Sequence, residues 1–222
     1  MGGVTALEHA EHVRSHWWPR PGWFPGRRMY AWHLTFEHAT ALHRLAAAYH
    51  ERLAASEGLN LVPRRWLHLT VQDVGYVDET PDALVDSVVE ATAARLRQLR
   101  PFDVMFGEPL VVEESIVIVP TPAEPVRAVG DAIRRGIADA TGGGAARTRP
   151  DQGHGFWPHV SIAYVNRAGA ARPYVAELAT VDAAPATVRL AEATLIVQDR
   201  VLAPGWVYRW TVRATAPFGH PG

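Results

Sequence analysis

The chain has no cysteine and no lysine among its 222 residues. Without a thiol it has no disulfide framework, no thiolate metal site and no cysteine nucleophile. All 22 basic residues are arginine. That removes a lysyl-adenylate intermediate, a Schiff base and the phosphate-binding lysine of Walker-type sites. Ligation driven by ATP through a charged lysine is excluded by residue count. No apolar run approaches the roughly 20 residues of a membrane span. The N-terminal stretch carries Glu8, His9 and Glu11 with no apolar signal core, so it does not read as secretory. Neither sign of charge is in excess: net charge is −1 and the pI about 6.8, so no bulk field draws in a long polyanion. Arginine in place of lysine and abundant alanine are marks of a GC-rich genome, and a bacterial cytoplasm is the expected compartment.

What the chain does have is 48% hydrophobic and 20% charged residues, with length enough for one large or two small cores. It also has a rhyme. Trp66-Leu67-His68-Leu69-Thr70-Val71 and Trp157-Pro158-His159-Val160-Ser161-Ile162 each place a histidine and a hydroxyl two residues apart in an apolar run. On a strand, the histidine and hydroxyl of each segment face one way, and Leu69, Val71, Val160 and Ile162 face a core. The tripeptide alone is weak, because His-x-Thr/Ser also occurs at His33 and His38 and about one match is expected by chance. His38 opens a helical stretch and drops out. Two embedded copies about 90 residues apart are another matter. They can gather two imidazoles and two hydroxyls around one anion, the equipment of metal-free phosphodiester chemistry.

The organisation along the chain fits this. Residues 4–16 read as weakly helical, and His16 to Gly26 is a Pro/Gly loop with three tryptophans, expected to pack across the domain or to wall a cleft. A strand is expected at 29–36, an amphipathic helix at 39–56, the first histidine strand at 66–72 and a helix at 78–100. Strands at 102–106 and 110–120 flank a Gly107–Pro109 turn, and a helix covers 125–141. After a polar loop to Gly155 come the second histidine strand at 159–165, a short helix at 172–178 and a hairpin of 187–197 with 207–216. The order reads as one unit used twice, each holding one histidine strand. The expected fold class is α+β: bilobal, two pseudo-symmetric β-sheet/helix units facing each other across a central cleft. A Trp/Pro-rich arm at 1–28 precedes a single bilobal domain at 29–222.

The paired His68-Leu69-Thr70 and His159-Val160-Ser161 elements resemble the signature of the 2H phosphoesterase superfamily, the 2′-5′ RNA ligase-like or cyclic phosphodiesterase group. The resemblance covers roughly 29–216 and implies a bilobal fold of duplicated units. It also implies opening of a 2′,3′-cyclic phosphate on a nucleotide or RNA end, reversible as ATP-independent 2′-5′ ligation. In chemical terms, one neutral imidazole activates water and one protonated imidazole delivers a proton to the departing ribose oxygen. Thr70 and Ser161 hydroxyls then donate to the non-bridging oxygens. The expected assignment is His159 as base and His68 as acid. No metal or cofactor is expected, nor a membrane or an obligate protein partner.

Six further residues are candidates for holding substrate. Trp66 shares the parity of His68 and is a stacker or a lid on the sheet. Gln72 continues the same parity toward phosphate or sugar. Tyr164, five residues after His159, points away from the histidine face on a regular strand but can reach the cleft edge as a stacking surface. Arg147 and Arg149, just before the second motif, are candidates for a phosphate clamp. His33 lies on the neighbouring strand, in a structural or rim role. Two rivals stand beside this reading. One is a metallohydrolase built on His9, His12 and His16 at helical spacing. The other is a non-catalytic RNA- or nucleotide-binding module with the same fold.

Overall fold

The computed structural model describes residues 8–143, 156–202 and 205–219. In chain order the elements are β1 (His12–Val13), β2 (Arg28–Thr35), α1 (Thr40–Leu53), β3 (Leu59–Leu61), β4 (His68–Tyr76), α2 (Asp82–Leu96), β5 (Phe102–Val111) and β6 (Ser115–Thr121). They continue with α3 (Glu124–Thr141), β7 (Val160–Val165), β8 (Gly169–Ala170), α4 (Arg172–Leu178), β9 (Ala186–Leu190), β10 (Glu192–Val201) and β11 (Val207–Pro217). The fold is α+β, as the sequence order implies.

The strands form a four-stranded sheet ordered β11-β10-β2-β4, a five-stranded sheet ordered β3-β7-β6-β5-β9, and a small β1-β8 ribbon. Every pairing is antiparallel. Each large sheet draws strands from both halves of the chain, so the sheets do not coincide with successive halves of the sequence. Leu67, Leu69, Val160 and Ile162 are fully buried together with Trp32 and Leu34, and they anchor both histidine strands in the core. Helix α1 buries Leu42, Leu45, Ala46, Tyr49 and Leu53, the stripe that a 3.6-residue period dictates. Helix α3 ends at Gly142, whose φ of 64° is the left-handed C-cap conformation that glycine adopts without cost.

Three local expectations are corrected. The described part of segment 4–16 is not helical: it runs extended, pairing His12 with Ala170 and Val13 with Gly169. Gly107–Pro109 is not the hairpin turn. It is an irregularity within β5, between the pairs Phe106–Pro120 and Pro109–Ile118, and the turn lies at 112–114. The expected strand 187–197 is two strands, because the chain leaves the five-stranded sheet at Leu190 and enters the four-stranded sheet at Glu192.

Candidate active site between the two sheets

β4 is an edge strand of one sheet and β7 an interior strand of the other, and the two strands approach each other. His68, Thr70, His159 and Ser161 thereby line one cavity of about 210 Å³. Each imidazole is fixed in the same way. His68 Nδ1–H donates to the Trp66 carbonyl at 2.8 Å, and His159 Nδ1–H donates to the Trp157 carbonyl at 2.9 Å. A carbonyl only accepts, so Nδ1 carries the hydrogen in both rings and Nε2 is the nitrogen each offers for proton exchange.

The strands repeat a second feature. On β4, His33 pairs with Thr70 and Trp32 with Gln72, which leaves Val71 as an extra residue. On β7, Val117 pairs with Ser161 and Ile116 with Ala163, which leaves Ile162 extra. Both motifs therefore carry a β-bulge directly after the hydroxyl residue. A bulge reverses side-chain parity beyond it. Gln72 consequently turns from the His68–Thr70 face; it is buried, and its amide donates to the Asp73 carbonyl at 3.2 Å. Tyr164 turns the other way, into the cavity. Both parity expectations fail for this one reason. The Ile162 carbonyl at the second bulge accepts from Val62 N–H at 2.8 Å and from His50 Nε2 at 2.7 Å.

His33 is completely buried beneath the first motif. Its ring stacks on His68 with centroids 4.5 Å apart and planes 5° off parallel, and its Nε2 lies 3.3 Å from Thr70 Oγ1. It is not part of the cavity lining. Trp66 is half-buried and packs edge-on against Trp210, 4.7 Å between centroids, so it braces the wall behind His68. Arg147 and Arg149 lie outside the described residues.

The arm walls the cavity, with His16, which the sequence offered only as a metal ligand, and Arg20, which it did not single out. Glu114, Ser115 and Tyr208 line it with them. His16 Nε2 is 2.9 Å from Tyr208 Oη, and its ring stacks on Tyr164 with centroids 4.3 Å apart. Arg20 Nη2 donates to Glu114 Oε2 at 2.8 Å. Burial works to raise the Glu114 pKa, but the bond from His16, the Arg20 charge and the Trp18 indole outweigh it and hold the carboxyl below its ordinary value. The available signal was composition alone, a tryptophan-rich loop too apolar to stay in water. The proposed metal face dissolves because this segment is extended: His9 Nδ1 accepts from Val111 N–H at 3.1 Å, while His16 turns inward. Among the described residues no group of three or more His, Asp or Glu is placed to hold a metal ion.

A larger groove of about 600 Å³ runs past His38 and Thr40 but holds neither motif histidine. Converging titratable and hydroxyl groups, rather than volume, single out the smaller cavity. No helix among the described residues is long and apolar enough to cross a membrane.

The fold is similar to that of TT0787 of Thermus thermophilus, with a TM-score of 0.58 and 17% identity over 88% of this chain and 100% of that one. E. coli LigT complexed with 3′-AMP matches with a TM-score of 0.59 and 15% identity over 87% of this chain and 99% of that one. The same protein complexed with phosphate gives 0.55 and 14% over 87% and 99%. No curated protein matches the chain significantly. The family described as the 2′-5′ RNA ligase superfamily matches residues 20–202, which takes in both histidine motifs and most of the chain, and the chain belongs to it.

Proposed function

We propose that this protein is a metal-independent phosphodiesterase that opens a 2′,3′-cyclic phosphate on a nucleotide or RNA end. The observation that carries the reading is the convergence of two Trp-x-His-x-Thr/Ser strands on one cavity, each with Nδ1 tied to a carbonyl and a bulge after the hydroxyl. This local correspondence also supports reading the two sheets as lobes of a duplicated, pseudo-symmetric architecture.

The chemistry follows from two oriented Nε2 atoms. Neutral His159 removes a proton from water as its oxygen bonds to phosphorus. Protonated His68 gives its proton to the ribose oxygen as the ring P–O bond breaks. Thr70 and Ser161 donate to the non-bridging oxygens and hold the phosphorus between the two rings. With a ribose hydroxyl in place of water as the attacking group, the same steps join a cyclic phosphate to that hydroxyl without ATP. A 210 Å³ cavity is smaller than the roughly 300–1,000 Å³ that encloses a drug-sized ligand, so it suits a phosphate with its sugar rather than a length of RNA. That relatives of this fold are crystallised with 3′-AMP and with phosphate agrees with a nucleotide phosphate as ligand.

Turnover of 2′,3′-cyclic nucleotides in the presence of a chelator tests the proposal. His68→Ala and His159→Ala should each lose at least about a hundredfold in rate, the usual yield of a positioned acid or base. Wild-type rates in either variant would overturn the assignment, and a protein that binds nucleotide without turnover would be the non-catalytic module.

A further inference from the structure

Strand β10 runs between β11 and β2, an interior place in the four-stranded sheet. Its Gln198 pairs with Met29 on one side and Trp210 on the other, and is 1% exposed. The same residue lines the cavity that holds both motif histidines. Oε1 is buried and has no hydrogen-bond partner among the described residues, so the amide nitrogen is the end turned to the cavity. The reverse orientation would bury two orphaned donors in place of one acceptor, the costlier arrangement. Buried polar groups are almost always paired, and one left open is costly to the fold. A fold that keeps Gln198 here therefore holds a donor ready for an acceptor that enters the cavity.

We propose that the Gln198 carboxamide is a third donor to the phosphate, a catalytic residue beside the motif hydroxyls. The inference rests on the cyclic phosphate reading and adds a group to it. Among the described residues Arg20 is the one arginine on the lining, and its Nη2 donates to Glu114 Oε2 at 2.8 Å. Those two formal charges offset each other. Apart from the motif imidazoles, the described lining therefore meets an anion with neutral donors. Thr70 and Ser161 have one hydroxyl hydrogen each, while two non-bridging oxygens accept several. Gln198 Nε2 brings two more. As the water oxygen bonds to phosphorus, negative charge grows on the non-bridging oxygens. The ring P–O bond then breaks, and the ribose oxygen takes the proton of His68. An N–H fixed on an interior strand meets that charge without turning into place, so it stabilises the transition state more than the bound substrate.

Steady-state kinetics on a 2′,3′-cyclic nucleotide, calorimetric titration with inorganic phosphate and a thermal melt test this on one variant. Gln198→Met keeps the length of the side chain and removes both ends of the amide. Its kcat should fall about a hundredfold with KM within about threefold, the pattern of a donor used mainly in the transition state. Inorganic phosphate should bind about fivefold more weakly, the worth of one net hydrogen bond. Tm should rise by about 2–4 °C, because an unpaired buried oxygen is gone. A purely structural glutamine would give the opposite split, a lower Tm and wild-type turnover. Wild-type kcat, a loss carried by KM alone, an unchanged phosphate affinity or a lowered Tm would each overturn the proposal. A wild type that opens no cyclic phosphate, yet binds inorganic phosphate more tightly than Gln198→Met does, would overturn the catalytic reading and leave Gln198 as an anion donor.

Discussion

His33 is the residue whose place changes most between sequence and structure. It spells the same His-x-Thr as the motif at His68, yet it is buried outside the cavity lining and touches Thr70 and His68 of that motif. Thr70 has a single hydroxyl hydrogen. If that hydrogen is to meet a phosphate oxygen, His33 Nε2 must be the donor in the 3.3 Å contact with Oγ1. The parallel ring 4.5 Å away also restricts the rotation of His68. His33→Ala should therefore lower turnover about tenfold through lost positioning. The same substitution in a Thr70→Val background should cost much less, a coupling of about 1 kcal/mol in a double-mutant cycle of rates. Additive losses would show that His33 supports the fold without orienting Thr70.

At the scale of elements, helices α2 and α3 pack at a point where no side chain fits. A Cβ on Gly136 of α3 would stand 2.5 Å from Thr92 Cα and 2.8 Å from Thr92 N on α2. The Thr92 Oγ1 obstructs it too, at 2.6 Å, but the other two atoms are backbone, so the helices would have to separate. Gly136→Ala should destabilise the protein by about 1–3 kcal/mol, the usual cost of overpacking. A thermal melt should show it as a fall of roughly 3–10 °C. The helices themselves were legible, since the stripe Leu42, Leu45, Tyr49 and Leu53 is a local pattern. So were the alternating apolar residues that identify both histidine strands. The bulges at Val71 and Ile162 were not, because a bulge is set by the partner strand and leaves no local spelling. Their effect is specific: a regular strand puts Gln72 in the cavity and Tyr164 only at its edge, whereas the bulges turn Gln72 away and Tyr164 in. Gly107 and Pro109 misled in the opposite way, as turn residues used to kink a continuing strand. His68, Thr70, His159 and Ser161 could be found because each pair lies within three residues. The His16–Glu114–Tyr208 constellation joins three distant segments, and no periodicity reports such contacts.

For the whole molecule, acid is the condition that separates the packing of the core from that of the arm. Among the described residues, two groups that gain a proton on acidification have pKa values below their ordinary ones in the folded state. His50 is lowered by burial, against the opposing effect of its bond to the Ile162 carbonyl, and Glu114 is lowered because its partners outweigh its burial. A lowered folded pKa means that the unfolded chain takes up the proton first, so stability falls as pH falls through the interval between the two values. For His50 that interval begins at about 6.5, and the strain falls on the bulge behind Ser161. For Glu114 it begins at about 4.5, and protonation releases the arm donors Trp18, Arg20 and His16. Unfolding free energy should therefore decline in two stages on acidification. His50→Gln cannot titrate but keeps an N–H for the Ile162 carbonyl, and it should reduce the upper slope by at most about 1.4 kcal/mol per pH unit. Glu114→Gln should flatten only the lower stage, and it should raise the exposure of the arm tryptophans to a fluorescence quencher already at neutral pH. A Glu114→Gln protein whose acid limb matches that of the wild type would mean that the arm is held by its apolar contacts, with the carboxylate contributing nothing to its docking.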